Sequence, residues 1–139
     1  MRAAPRVSAA RAVPRIATAR LFQTSSVAAE LKKRFTAEHE WIVYDTEANV
    51  ATMGITDHAQ NSLGEVVFVE LPEQNTEVNV GEQIGFAESI KAVSDIYAPV
   101  SGIVTEVNAA LREDNSLLNK SAEDQGASSL LTKGWLAKI

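Results

Sequence analysis

The residue with the most chemistry open to it is Lys91. It lies nearly midway between Gly81 and Gly102, with Ile84, Phe86, Ala87 and Ile90 before it and Ala92, Val93 and Ile96 after it. Apolar flanks of this kind can form the two strands of a hairpin. A lysine at the tip of a rigid hairpin projects its amine into solvent, where a modifying enzyme can reach it and a long attached group can swing. Taken alone, a lysine at a turn is more often simply solvated. The other reactive types are sparse. His39 and His58 are the only histidines and have no metal-ligand spacing, which reads as surface or turn positions. No nucleophile elbow, phosphate-binding loop or dinucleotide fingerprint occurs. Asn119-Lys120-Ser121 matches a glycosylation sequon, a short pattern that arises often by chance. No convergent acid, base, nucleophile or metal group can be assembled, so an enzyme is the weakest reading.

The elements that must position Lys91 read as mainly β. His39 to Tyr44 and Val50 to Thr56 are β-rich runs separated by Asp45 to Asn49, whose Asp and Asn suit a turn, so a hairpin is expected. Asp57 offers an N-cap, Gln60 stands at N3 and Gly64 at C′, which predicts a short helix. Val66 to Leu71 is a continuous apolar strand ended by Pro72. Period-2 alternation around Val78 and Val80, and through Ile103, Thr105 and Val107, adds further short strands. Many short strands punctuated by Gly and Pro predict a small β-sandwich or barrel with one or two short helices.

Composition narrows the partners. The chain has 139 residues, room for one domain with a proper core, and no apolar run near the roughly 20 residues that span a bilayer. There is no cysteine, so disulfides, thiolate metal sites and thiol nucleophiles are excluded, and any redox group must come from outside the sequence. Arg2, Arg6, Arg11, Arg15 and Arg20 lie in the first 29 residues, which contain no acid. Without those five the rest holds 8 basic against 18 acidic residues, about −10, which disfavours nucleic acid. The Arg-, Ala- and Ser-rich, acid-free composition of residues 1–29 is that of a mitochondrial transit peptide. Pro5 and Pro14 interrupt any helix there, so composition carries this expectation rather than amphipathicity. Arg20, followed by the octapeptide from Phe22 to Ala29, is similar to a two-step processing signal and predicts a mature start near Glu30.

The surroundings of Lys91 change its weight. Glu88, Ser89, Ile90, Lys91, Ala92, Ser94 and Asp95, followed by Pro99, Ser101 and Gly102, resemble the lipoylation site of glycine cleavage H proteins. Three other blocks fall in the same order: His39-Glu40-Trp41, Gly54 to Gln60, and Gly64 to Pro72. The resemblance runs from about Phe35 to Asn119 and resumes at Gly134. It implies a lipoyl/biotinyl-type barrel-sandwich hybrid, with residues 30–139 as the lipoyl-carrier domain and lipoate amide-linked to Lys91. It further implies a carrier that is a substrate of a multienzyme system in the mitochondrial matrix. The implied partners are a pyridoxal-phosphate glycine decarboxylase, a tetrahydrofolate-dependent aminomethyltransferase, dihydrolipoamide dehydrogenase and lipoyl-attaching enzymes, with neither nucleic acid nor membrane. Glu88 and Gly102 match recognition features of lipoylated hairpins, Glu88 by its carboxylate and Gly102 by backbone geometry. Glu40 and Asp95 are candidates to face the ammonium of a loaded arm; both also read as solvated surface carboxylates.

Three other readings compete. A biotinyl carrier would show Met-Lys-Met where this chain has Ile90-Lys91-Ala92. A 2-oxoacid dehydrogenase lipoyl domain would show Asp-Lys-Ala and an Ala/Pro-rich linker. An unmodified β scaffold would leave Lys91 idle. The chain departs from the family pattern at Gly126 to Lys133, which reads as an insertion in a surface loop. It departs again at Lys133, where an acid is usual, and at Ile139, where a C-terminal helix usually follows.

Overall fold

A computed structural model describes residues 31–123 and 133–139; the expected leader (1–29) and most of the expected insertion lie outside the described residues. Strands β1 (Leu31–Phe35), β2 (Glu40–Asp45) and β3 (Val50–Ile55) form an antiparallel run. The β2–β3 turn forms as its residues dictate. The Asp45 carboxylate accepts from the amides of Glu47 and Ala48 at 2.9 and 3.0 Å, and Asn49 takes the left-handed conformation at φ 54°. Helix α1 (Asp57–Leu63) follows, then β4 (Val66–Glu70), β5 (Glu77–Val78), β6 (Gln83–Ser89) and β7 (Val93–Tyr97). The chain continues through β8 (Gly102–Ile103), β9 (Glu106–Val107), α2 (Ala110–Glu113), α3 (Leu117–Lys120) and β10 (Ala137–Lys138). The described strands make three antiparallel sheets, ordered β1-β2-β3-β10-β9, β4-β6-β7 and β5-β8. The mainly β expectation holds, with three short described helices instead of one or two.

Two local expectations are corrected. The N-cap of α1 is Thr56, not Asp57. Thr56 is held extended by its amide bond to the His39 carbonyl at 2.9 Å, and its hydroxyl accepts from the Ala59 amide at 3.2 Å. The alternation through residues 103–107 does not make one strand. Val104 pairs with Thr76 and Asn75 on one side, whereas Thr105 donates to the Lys138 carbonyl on the other, so the chain changes sheets there. That corner turns Val104 fully into the core and leaves Ile103 facing solvent.

The core lies between the sheets and beneath the helices, with Met53, Val104, Leu111, Leu118 and Leu136 fully buried. Trp41 closes one end. Its indole N–H donates to the Ala122 carbonyl at 2.9 Å, and its ring covers Gly54, its cross-strand partner. A Cβ at Gly54 would lie 2.5 Å from Trp41 Cζ2, so glycine is needed there for space. Gly54→Ala is expected to lower stability by about 1–3 kcal/mol through overpacking, read as a shifted denaturation midpoint with altered Trp41 fluorescence.

Candidate functional site

Strands β6 and β7 pair antiparallel from Gln83↔Tyr97 to Glu88↔Val93, with a register shift between Gln83 and Gly85, and leave Ser89 to Ala92 as the turn. The Ser89 amide donates to the Ala92 carbonyl at 2.8 Å, which makes Ile90 and Lys91 the two central residues. Neither has positive φ, so this is not the mirror-image turn usual in two-residue hairpins. Ser89 compensates: its Oγ accepts from the amides of Ala92 and Lys91 at 3.0 and 3.3 Å, and its hydroxyl donates to the Ala92 carbonyl at 3.1 Å. Ser89 is itself buried, so this turn is fixed from inside. At the far end of the hairpin, a Cβ on Gly85 would lie 2.2 Å from the Glu70 carbonyl oxygen, so β6 lies against β4 as only glycine allows.

Lys91 is exposed at the tip, as expected, and pairs with no carboxylate of the described residues. Its stem is not wholly free in solvent. A Cβ on Gly64 would lie 3.1 Å from Lys91 Cε and 3.6 Å from Nζ, so the alkyl chain rests on the bare backbone at the end of α1. The Ile90 amide also donates to the Glu65 carbonyl at 3.3 Å. Exposed Ile90, Val93, Val67 and Phe68 surround the tip, and Phe68 packs against Phe86 with ring centroids 5.7 Å apart.

The other expected site residues separate. Glu88 is exposed on β6, opposite Val93 and Phe68 and one residue before the turn. Glu40 is not a surface carboxylate. It is 1% exposed, takes the Thr36 hydroxyl on Oε2 and accepts from the Tyr97 amide at 3.2 Å on Oε1. It lines an open cleft of about 340 Å³ together with Thr36, Tyr97 and Pro99. Asp95 is exposed on β7, accepts from Gln83 Nε2 at 2.7 Å, and does not line that cleft. Gly102 is neither at the tip nor in a turn: it pairs with Val78 in β8, and a Cβ there would lie 2.7 Å from Ile139 Cγ2.

Three features went unforeseen. His39 and His58, nineteen positions apart in the chain, stack with ring centroids 4.5 Å apart, because the Thr56–His39 bond ties the start of α1 to β2. The described residues contain no group of three His, Cys, Asp or Glu side chains able to hold a metal ion, and no described helix is long and apolar enough to cross a membrane. The sequon residue Asn119 is committed to the interior: its Nδ2 donates to the Gly64 carbonyl and Gln60 Oε1, and its Oδ1 accepts from the Val66 amide. The contact between Lys91 and Gly64 was the third; in the sequence Gly64 reads only as the residue that ends the helix and opens the Gly64 to Pro72 block.

Residues 33–139, which include the whole hairpin and nearly all described strands, match the family described as Glycine cleavage H-protein. The chain belongs to the glycine cleavage H-protein family. A glycine cleavage system H protein of Acidiphilium cryptum (strain JF-5) is 54% identical over 90 residues, 65% of this chain and 71% of that protein. A Schizosaccharomyces pombe protein, named for the mitochondrial H protein of the same system, is 49% identical over 107 residues. That match covers 77% of this chain and spans 57% of the fission yeast protein's length. The crystal structure of the Mycobacterium marinum H protein superposes with a TM-score of 0.65 at 38% identity, over 77% of this chain and 81% of that one. The barrel-sandwich fold of this H-protein family member is thus the family's fold.

The burial contrast between its two candidate carboxylates sets different costs. Glu40→Ala should lose about 1–3 kcal/mol of stability, since it removes a buried carboxylate that satisfies the half-buried Tyr97 amide and the Thr36 hydroxyl. Asp95→Ala, at an exposed position, should stay within about 0.5 kcal/mol. Urea unfolding of both variants measures the difference; equal losses would contradict the assigned environments.

Proposed function

We propose that this chain is the lipoyl carrier of the glycine cleavage system, with lipoate joined by an amide to Lys91. The observation that carries this reading is the exposed amine, paired with no carboxylate of the described residues, at the tip of a turn locked by buried Ser89, in a member of the H-protein family. The residues present fit such a group. The amine is accessible, its stem has an apolar backbone shelf at Gly64, and exposed Ile90 and Val93 beside it suit an aliphatic arm. The bound lipoyl group would supply the dithiolane that takes up the aminomethyl group of glycine at the decarboxylase and hands it on at the aminomethyltransferase.

This chain's own residues present and orient the arm. The Ser89 turn fixes the direction in which Lys91 leaves the sheet, and the Gly85 approach ties the hairpin base to β4. Glu88 is the surface carboxylate placed to be read by a lipoyl-attaching enzyme, one residue from the turn. The cleft beside Glu40, lined by both polar and apolar residues, is the recess that a loaded arm would enter; Asp95 lies outside its lining, exposed on β7. Gly102 serves through close packing against Ile139 rather than by contact with the arm. The protein is in this reading a substrate of its partners, the pyridoxal-phosphate decarboxylase, the tetrahydrofolate-dependent aminomethyltransferase and dihydrolipoamide dehydrogenase. It works in the mitochondrial matrix after removal of residues 1–29, consistent with the leader's composition and with the mitochondrial name of the fission yeast relative.

Intact mass with peptide mapping of protein purified from mitochondria tests the reading. One lipoyl increment on Lys91 and an N-terminus near Glu30 are expected. Lys91→Arg should abolish the increment while leaving the unfolding midpoint unchanged within error, because the side chain is exposed. An unmodified wild-type Lys91, in cells whose other lipoyl proteins carry the group, would leave the unmodified scaffold as the better reading.

A further inference from the structure

We propose that Asn119 is the positioning residue for the Lys91 arm, acting through the backbone shelf on which the hairpin tip rests. The proposal builds on the reading of Lys91 as the acylated lysine. Asn119 sits in α3, far from Lys91 in sequence, yet its carboxamide holds both sides of the bend between α1 and β4. Nδ2 donates to the Gly64 carbonyl at 2.7 Å and to Gln60 Oε1 at 3.0 Å, while Oδ1 accepts from the Val66 amide at 2.9 Å. The residue between these two anchors is Glu65, whose carbonyl accepts from the Ile90 amide, and Gly64 is the surface under the Lys91 stem.

Gly64 needs such a clamp. Its φ of 84° and ψ of −152° belong to a region that essentially only glycine visits, and glycine is free to leave it for many others. The carboxamide of Asn119 satisfies the carbonyl on one side of the bend and the amide on the other, so this conformation is selected over the rest. An aspartate could still accept from Val66 but would set a carboxylate oxygen against the Gly64 carbonyl and Gln60 Oε1, both acceptors. Two short steps therefore link α3 to the attachment point: Asn119 to the bend, and the bend to Ile90 and Lys91. Because the turn has only two central residues, a shift of the shelf must be passed to the lysine.

The test uses the full chain carrying Asn119→Ala or Asn119→Asp, with Val104→Ala as a control that removes fully buried core volume and touches none of these bonds. The readouts are hydrogen exchange of the Ile90 amide and steady-state lipoylation of Lys91 by a lipoate ligase with lipoate and ATP. Both Asn119 variants are expected to raise Ile90 exchange and to lower kcat for lipoylation about tenfold or more, with a smaller change in KM, since the amine is misplaced rather than the docking surface lost. Val104→Ala should lower the melting temperature and leave both readouts at wild-type values. Should Asn119→Ala not fold, Gln60→Ala, which removes one of the three bonds of the Asn119 carboxamide together with the Gln60–Asn61 bond, is expected to give the same pattern at lower amplitude. Wild-type kcat in the Asn119 variants, or an equal loss in Val104→Ala, would overturn the proposal. A wild-type chain that the ligase leaves unmodified would defeat the lipoyl reading alone, and Ile90 exchange would then decide whether Asn119 positions the tip.

Discussion

A two-residue turn has no slack, and the arrangement around Lys91 follows from that constraint. The Ser89 to Ala92 closure fixes the tip relative to β6 and β7, so the lysine can be placed only by placing the whole hairpin. The molecule does this at three heights. Gly85 lets the base of β6 approach the Glu70 carbonyl closer than any side chain would permit. Val66, Val69, Ala87 and Ile96 bury the inner face of the sheet, contributing about 25 cal/mol per Å² of apolar area removed from water. At the top, Glu65 and Gly64 meet Ile90 and Lys91. An exposed lysine is thereby mounted on a buried foundation, which lets its amine stay accessible while its root stays still.

Much of this was legible in the sequence, because it depends on local chemistry. The β2–β3 hairpin was readable from Asp45 and Asn49, whose side chains and left-handed tolerance make that turn without tertiary help. The place of Lys91 at a hairpin tip was readable because apolar runs flank it on both sides. What was not legible depends on residues far apart in the chain. Asn119 reads only as part of a sequon until α3 packs on α1 and its carboxamide finds Gly64 and Val66. Glu40 and Asp95 are the same kind of residue on paper. Only the approach of Thr36 and Tyr97 makes one a buried, hydrogen-bonded carboxylate and leaves the other on the surface.

The strand through Ile103 shows why period 2 alone misplaces residues at a corner. Alternation assigns faces only while a strand stays in one sheet. Here the chain gives two residues to β5, crosses at Val104, and gives two more to β10. The core claims Val104 at the crossing, and Ile103 is left outward although it is the larger apolar residue. A sandwich this small has to turn such corners often, so its short strands carry weak periodic signals and its glycines, which permit the close approaches, carry the stronger ones.

The hairpin's charges bear on how different partners could distinguish its states. Between Gln83 and Tyr97 the charged residues are Glu88, Lys91 and Asp95, with a net charge of −1. Amide formation at Lys91, as proposed, would remove the single positive charge, so the same surface would become −2. On the proposed reading, an attaching enzyme would meet a tip where a cation stands among acids, whereas enzymes that use the attached arm would meet acids around an apolar tip of Ile90 and Val93. Because charge complementarity governs encounter rates more than final affinity, such a modification would, on that reading, redirect the chain from an enzyme that loads it to those that use it. The hairpin's fixed turn suits that logic, since on the proposed reading nothing but the charge and the arm would have to differ between the two states.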